Sequence, residues 1–195
     1  MTRRHAVAVA VTGPIGAGKS AALEAFARHG AATASSDSTV HDLLRDDPDV
    51  HRELVERFGP EVLGGDGADR AKLAEIVFGD PEQLEWLERL LHPRVVAANL
   101  AWRAEQERRA DPPPLTVTEV PLLYETGAER RFDAVVVITA PEAIRRERRP
   151  LADAREQRLL PEAEKVARAD YAYVNDGTLD ELDAFVADVV GKLTA

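Results

Sequence analysis

The first apolar run, Ala6, Val7, Ala8, Val9, Ala10 and Val11, is continuous rather than alternating. A strand covered on both faces of a parallel sheet has this pattern, so the run is predicted to be a central strand. Beyond a glycine-rich turn, Leu23, Phe26 and Ala27 fall on one face of a helix predicted over residues 21–29, with Gly30 as its stop. Residues 31–34 are a short apolar stretch, a second strand that ends at Ser35, Ser36 and Asp37.

From residue 38 to residue 110 the period is helical almost throughout. Val50, Leu54, Val55 and Phe58 share a face, and Asp80, Pro81, Glu82 and Gln83 carry the N-cap, N1 proline and N3 glutamine of a capping box. Leu84, Leu87, Leu90 and Leu91 follow at helical spacing. His92-Pro93 is predicted to break that helix before another begins near Arg94, and Gly64-Gly65-Asp66-Gly67 reads as a loop. Asp111-Pro112-Pro113-Pro114 cannot be helix, and residues 115–120 after it read as a third strand. Residues 134–139 and 171–174 read as the next two. Thr178 and Glu181 form a second capping box before the stripe Leu182, Phe185, Val186, Val189, Val190 and Leu193, which is core packing. Strands alternating with helices predict an α/β fold, a doubly wound parallel sheet of about five strands, with the helical stretch 38–110 partly inserted over its C-terminal edge.

Composition narrows this picture. A chain of 195 residues with 45% hydrophobic content is long enough for one α/β core with a small inserted subdomain. The net charge of −10 speaks against nucleic acid or an anionic membrane as a partner, so any anionic ligand must be held locally. No cysteine is present, which excludes disulfides, thiolate metal sites and cysteine nucleophiles and fits a reducing compartment. Arg3 and Arg4 precede an apolar run too short for a signal peptide or a membrane span, so a cytoplasmic location is expected. Nothing in the pattern calls for an obligate protein partner.

The turn after the first strand carries the chemistry. Gly13-Pro14-Ile15-Gly16-Ala17-Gly18-Lys19-Ser20 satisfies G-x-x-x-x-G-K-[ST], which average residue frequencies would produce by chance in roughly 1% of chains this long. The strand before it and the helix after it lower that chance further. Glycines let backbone N–H groups converge on phosphate oxygens, and the helix N-terminus adds its positive end. A nucleotide triphosphate tail is the ligand this predicts, and the loop alone does not choose among kinases, GTPases and ATPases: Gly13, Gly16, Ala17, Gly18, Lys19, Ser20 and Ala21 would bind it, with Lys19 on the β- and γ-phosphates and the Ser20 hydroxyl on Mg2+.

Further groups read two ways. Asp37 serves either as the base that takes the proton of an attacking hydroxyl or as the N-cap of the helix beginning at Ser38. Glu119, ending the third strand, is either a water-mediated Mg2+ acid or a solvated carboxylate. Arg145, Arg146, Arg148, Arg149, Arg155 and Arg158 crowd a short segment; Arg145, Arg148 and Arg149 share a face if it is helical. They are either a lid that clamps transferring phosphates, with Arg145 and Arg148 catalytic, or a solvated helix face.

Taken in order, these residues resemble the dephospho-CoA kinase family over nearly the whole chain. The family's loop is similar to GGIGSGKST, matched here by GPIGAGKSA from Gly13 to Ala21. Phe58-Gly59, Asp69-Arg70, His92-Pro93, Pro121-Leu122-Leu123-Tyr124-Glu125, Ala169-Asp170-Tyr171, and Asn175 with Gly177 match family patterns in sequence. The resemblance implies a P-loop kinase fold with a nucleotide-binding core (1–37 and 111–195), a helical acceptor-binding subdomain (about 38–110) and a small lid (about 144–160). It implies that ATP and dephospho-CoA are the small-molecule partners, that Asp37 is the base, and that His92, Arg94, Pro121, Leu122 and Glu125 lie by the acceptor. The chain also departs from the family. Ser35 replaces the first acid of a DAD motif, Ala21 a threonine, Glu119 an aspartate and Leu159 a lid glutamine, and the lid is shorter. Two other functions compete: a kinase of the same fold acting on another nucleoside or nucleotide, and a silent nucleotide- or CoA-binding paralogue.

Overall fold

The computed structural model of the chain describes residues 5–149 and 159–195. It divides into two compact units, one comprising the chain up to Ser35 together with Arg103 onward, the other Ser36–Trp102.

The first unit is built on β1 (Val7–Thr12), β2 (Ala32–Ser35), β5 (Leu115–Glu119), β6 (Ala134–Thr139) and β7 (Tyr171–Val174). Among the described residues these five strands form one sheet in the order β2-β5-β1-β6-β7, and every pairing is parallel. The continuous apolar run of β1 has the predicted cause. Val9 and Val11 belong to a core with Phe26, Leu182, Val186 and Val189, whereas Ala10 belongs to another with Leu123, Val135 and Val137. Helices α1 (Lys19–Arg28) and α8 (Leu179–Thr194) pack together against the first of these cores. The predicted capping box of α8 is complete, with Thr178 and Glu181 bonded reciprocally. Two shorter helices, α6 (Glu142–Arg148) and α7 (Glu162–Ala167), also belong to this unit.

The chain leaves β1, runs through α1 to the edge strand β2, and later returns to place β5 between them, while β6 lies on the other side of β1. The strand order therefore reverses at the C-terminal end of β1. In open parallel sheets that crevice is where ligands bind.

The second unit contains α2 (Ser36–Asp46), α3 (Pro48–Phe58), α4 (Arg70–Phe78) and the first part of α5 (Pro81–Arg108). Leu44, Val50, Leu54, Val62, Leu73, Leu90 and Leu91 form its core. Asp47 and Asp69 cap α3 and α4 by accepting from backbone N–H groups of the first turn. The glycine-rich stretch predicted as a loop pairs its flanks as a short hairpin, β3 (Leu63–Gly64) with β4 (Gly67–Ala68).

Three expectations are corrected. His92-Pro93 does not break the helix, because α5 runs unbroken through Pro93. A proline inside a helix costs about 3 kcal/mol. Burial of Leu90 and Leu91 just before it contributes about 1.5–3 kcal/mol each, so packing wins. The Arg94 guanidinium also donates to the Leu90 carbonyl at 2.8 Å and pairs with Glu53 at 2.7 Å, bracing the helix beside the proline. Secondly, only half of the first capping box forms. The Asp80 carboxylate accepts from the Glu82 and Gln83 N–H groups, but the Gln83 side chain accepts from Arg57 instead of turning back. Thirdly, the helical unit ends at Trp102 rather than near residue 110. The last turns of α5 are tied into the first unit: Arg103 donates to the Arg131 carbonyl and stacks over Phe132, and Glu107 pairs with His5.

Candidate active site

The phosphate loop joins β1 to α1. Gly18 is the N-cap of α1, in a left-handed conformation with φ 99°, and no side chain caps the helix. No acid stands in its first turn either. The positive end of the helix is thus left to an outside anion. A Cβ at Gly13 would overlap the carbonyl of Ile138, so only glycine lets the loop leave β1 so close to β6.

Lys19, buried at the start of α1, donates to the Pro14 carbonyl at 3.1 Å, so its ammonium lies back over the loop. It also stands 3.7 Å from Glu119. Glu119 is 8% exposed, and its other oxygen accepts from the Ser35 hydroxyl at 3.2 Å. This overturns the solvated reading of Glu119. The register that aligns Val11 with Glu119, and Glu119 with Ser35, puts the ends of β1, β5 and β2 side by side and produces the cluster. Ser20, by contrast, is exposed at the first turn of α1. Among the described residues no group of three or more His, Cys, Asp or Glu is arranged to hold a metal. An exposed serine with one buried acid suits a divalent ion that takes its other ligands from a bound triphosphate.

The arginine segment forms α6, which lies directly on the loop: a Cβ at Gly16 would meet the Arg145 backbone carbonyl at 2.8 Å. Arg148 donates to the Gly16 carbonyl at 3.3 Å. Arg145 donates to the Ala140 carbonyl at 3.2 Å and stands 3.9 Å from Glu162. Arg149 follows the helix as its C-cap. The expected lid extends to residue 160, but 150–158, with Arg155 and Arg158, lie outside the described residues.

The residues named for the acceptor are distributed differently. Asp37 is exposed in the first turn of α2. That helix starts at Ser36, so Asp37 is inside it and does not cap a helix beginning at Ser38. His92 and Arg94 lie in α5, with Arg94 engaged by Glu53. In the turn after β5, the Pro121 carbonyl accepts from Thr12 at 3.5 Å and the Leu122 carbonyl from Thr126 at 2.7 Å. Glu125 pairs with the buried Lys165 ammonium at 2.7 Å and accepts from the Leu160 N–H. Burial pushes its carboxyl up, but Lys165 and the Leu160 N–H outweigh that and hold it below the usual range.

Two side chains of this region were not legible as site residues. Ser35, conspicuous only as a missing acid, is the donor to Glu119. Asn175, marked in the sequence by a family pattern but given no role there, donates to the Ala17 carbonyl at 2.8 Å from 158 positions away.

Among the described residues no helix is long and apolar enough to cross a membrane. The dephospho-CoA kinase (CoaE) family model matches residues 7–181. A dephospho-CoA kinase of Chlorobaculum tepidum is 37% identical, the match covering 99% of this chain and 98% of that one. Among solved structures, TT1252 from Thermus thermophilus superposes with a TM-score of 0.80 at 32% identity over 98% of this chain and all of that one. The dephospho-CoA kinase of Campylobacter jejuni superposes with a TM-score of 0.72 at 25% identity over 96% of each chain. A match of this extent decides the family: the chain belongs to the dephospho-CoA kinases.

Proposed function

We propose that the protein transfers the γ-phosphoryl group of ATP to the ribose 3′-hydroxyl of dephospho-CoA, giving coenzyme A and ADP. The observation that carries this reading is the family match along nearly the whole chain, a span that includes the phosphate loop. In the reaction the hydroxyl oxygen bonds to the γ-phosphorus as the β,γ-bridging P–O bond breaks and its electron pair leaves with ADP. The hydroxyl proton passes to the Asp37 carboxylate, which is exposed. The transition state is loose, so positioning and charge neutralisation contribute more than the proton transfer.

Lys19 leaves the Pro14 carbonyl to meet the β- and γ-phosphates, and Arg145 and Arg148, on a helix already in contact with the loop, add positive charge. Bound Mg2+ would supply further neutralisation, held by Ser20 directly and by Glu119 through water. Contacts to the acceptor are assigned within this proposal to His92, Arg94, Pro121 and Leu122, with Glu125 committed to Lys165 and the Leu160 N–H. A cytoplasmic location belongs to the same proposal.

A coupled ADP-release assay with a panel of acceptors tests it. Turnover should be greatest with dephospho-CoA and should vanish when divalent ions are chelated. Turnover with another nucleoside or nucleotide, and none with dephospho-CoA, would end this reading; turnover that survives full chelation would end the roles of Ser20 and Glu119.

A further inference from the structure

Asn175 follows β7 and is 4% exposed. Its side-chain amide donates to the Ala17 carbonyl at 2.8 Å, in the buried floor of the phosphate loop. The amide is itself held in place, because the Asn175 backbone N–H donates to the Thr139 carbonyl of β6 at 2.7 Å. A Cβ at Gly18 would overlap the same side-chain nitrogen, so the amide lies against both residues of the Ala17–Gly18 peptide.

A trans peptide is a rigid plane in which C=O and N–H point to opposite sides. All described peptides here are trans. Fixing the Ala17 carbonyl toward Asn175 therefore turns the Gly18 N–H the other way. The alternative is cheap for this sequence, since glycine tolerates either sense of φ and the Ala17–Gly18 peptide can rotate without a Cβ clash. A rotated peptide would present a carbonyl where an anion needs a donor.

We propose that Asn175 is a positioning residue that holds the Ala17–Gly18 peptide in its anion-binding orientation before ATP arrives. It touches no reacting atom; it acts through the loop, sparing ATP the work of orienting that peptide. The inference rests on residues 13–20 being the phosphate cradle of ATP.

The test uses the full chain with Mg2+ and compares wild type with Asn175→Asp and Asn175→Leu by calorimetric titration of ATP and ADP. A carboxylate cannot donate to the Ala17 carbonyl and repels it, so at pH 8 the aspartate variant should bind both nucleotides at least about tenfold more weakly. The KM for dephospho-CoA at saturating ATP should stay within twofold of wild type. As the pH is lowered, the ratio of variant to wild-type affinity should recover, because a neutral carboxylic acid donates again. The leucine variant should lose affinity without that recovery. A residue needed only for folding would lower the melting temperature and both substrates' binding together, with no recovery in acid, and that result would overturn the proposal. So would nucleotide affinities within twofold of wild type in both variants. Wild type supplies a readout independent of either variant's folding: the Asn175 side-chain amide protons should exchange slowly in 15N-labelled protein without ATP, and rapid exchange contradicts the proposal. Wild-type protein that binds no ATP would defeat the phosphate-cradle reading itself, whereas normal wild-type binding with unaffected variants defeats only this inference.

Discussion

Lys19 and Asp37 divide the chemistry, and their variants should separate it. Lys19 meets phosphates that carry more charge in the transition state than in bound ATP, so Lys19→Ala should lower kcat by about 10²–10³, the cost of removing one such donor. It should also weaken ATP binding, seen as a raised KM. Asp37→Asn keeps the size and the exposed position of the side chain but cannot take a proton. It should lower kcat by about 10²–10⁴ while the ATP dissociation constant, measured by titration, stays at the wild-type value. A full-activity Asp37→Asn enzyme would remove Asp37 from the reaction. Lys19 and Ser20 were legible because their motif is local: eight successive residues define both the loop and its chemistry. The burial of Glu119 was not, because it depends on strand register. Only the pairing of Glu119 with Ser35 and with Val11 shows that the carboxylate ends between an ammonium and a hydroxyl.

Among the elements, α5 shows where local rules lose to packing. The proline at 93 satisfied the local rule for a helix end, yet it lies exposed within a helix in which Leu90 and Leu91 just before it are buried. Pro93→Ala restores a backbone donor and relieves the ring's clash with the carbonyl four residues back. It also gives the unfolded chain more freedom, which offsets about 0.4–1 kcal/mol. The net should be a stabilisation of about 2–2.6 kcal/mol, a rise of several degrees in the thermal midpoint of a chain this size. A helix that ended at His92 would gain nothing from this substitution, and an unchanged or lowered midpoint would contradict the continuous α5. The strands were the opposite case. β1 and β6 are apolar on both faces because helices or turns cover both, so composition alone exposed them, whereas β5 is buried but alternates, Leu115 and Val117 on one face and Thr116 and Thr118 on the other. The end of the helical unit was invisible for a third reason: Arg103 and Glu107 lie on the same helix as the residues before them and differ only in which partners they reach.

For the whole molecule, the carboxylates give folding a predictable pH dependence. Asp183 accepts from Arg28 and His29, joining α8 to the end of α1, and these bonds hold its carboxyl below the usual value of 3.8. The backbone N–H of Lys72, with that of Ala71, does the same for Asp69, and the Thr178 N–H for Glu181. In each case the folded-state pKa is depressed. The stability so contributed is therefore complete above the unfolded-state pKa and is lost as pH falls through the folded value. His5 acts in the opposite sense: bonded to Glu107, it is raised above 6.5, and its contribution fades as pH rises through that higher value. Its pair is exposed, so that change should be small. Urea midpoints should accordingly hold near neutrality and decline as the pH drops below about 4, the range of unperturbed carboxyl groups. Asp183→Asn isolates one of these carboxylates. At pH 7 it should be less stable than wild type, because Arg28 and His29 lose their anion, and the gap should close as acid protonates Asp183 in the wild type. A gap that stayed constant or widened on acidification would mean that Asp183 contributes through its shape rather than its charge, and that the link between α1 and α8 is not electrostatic.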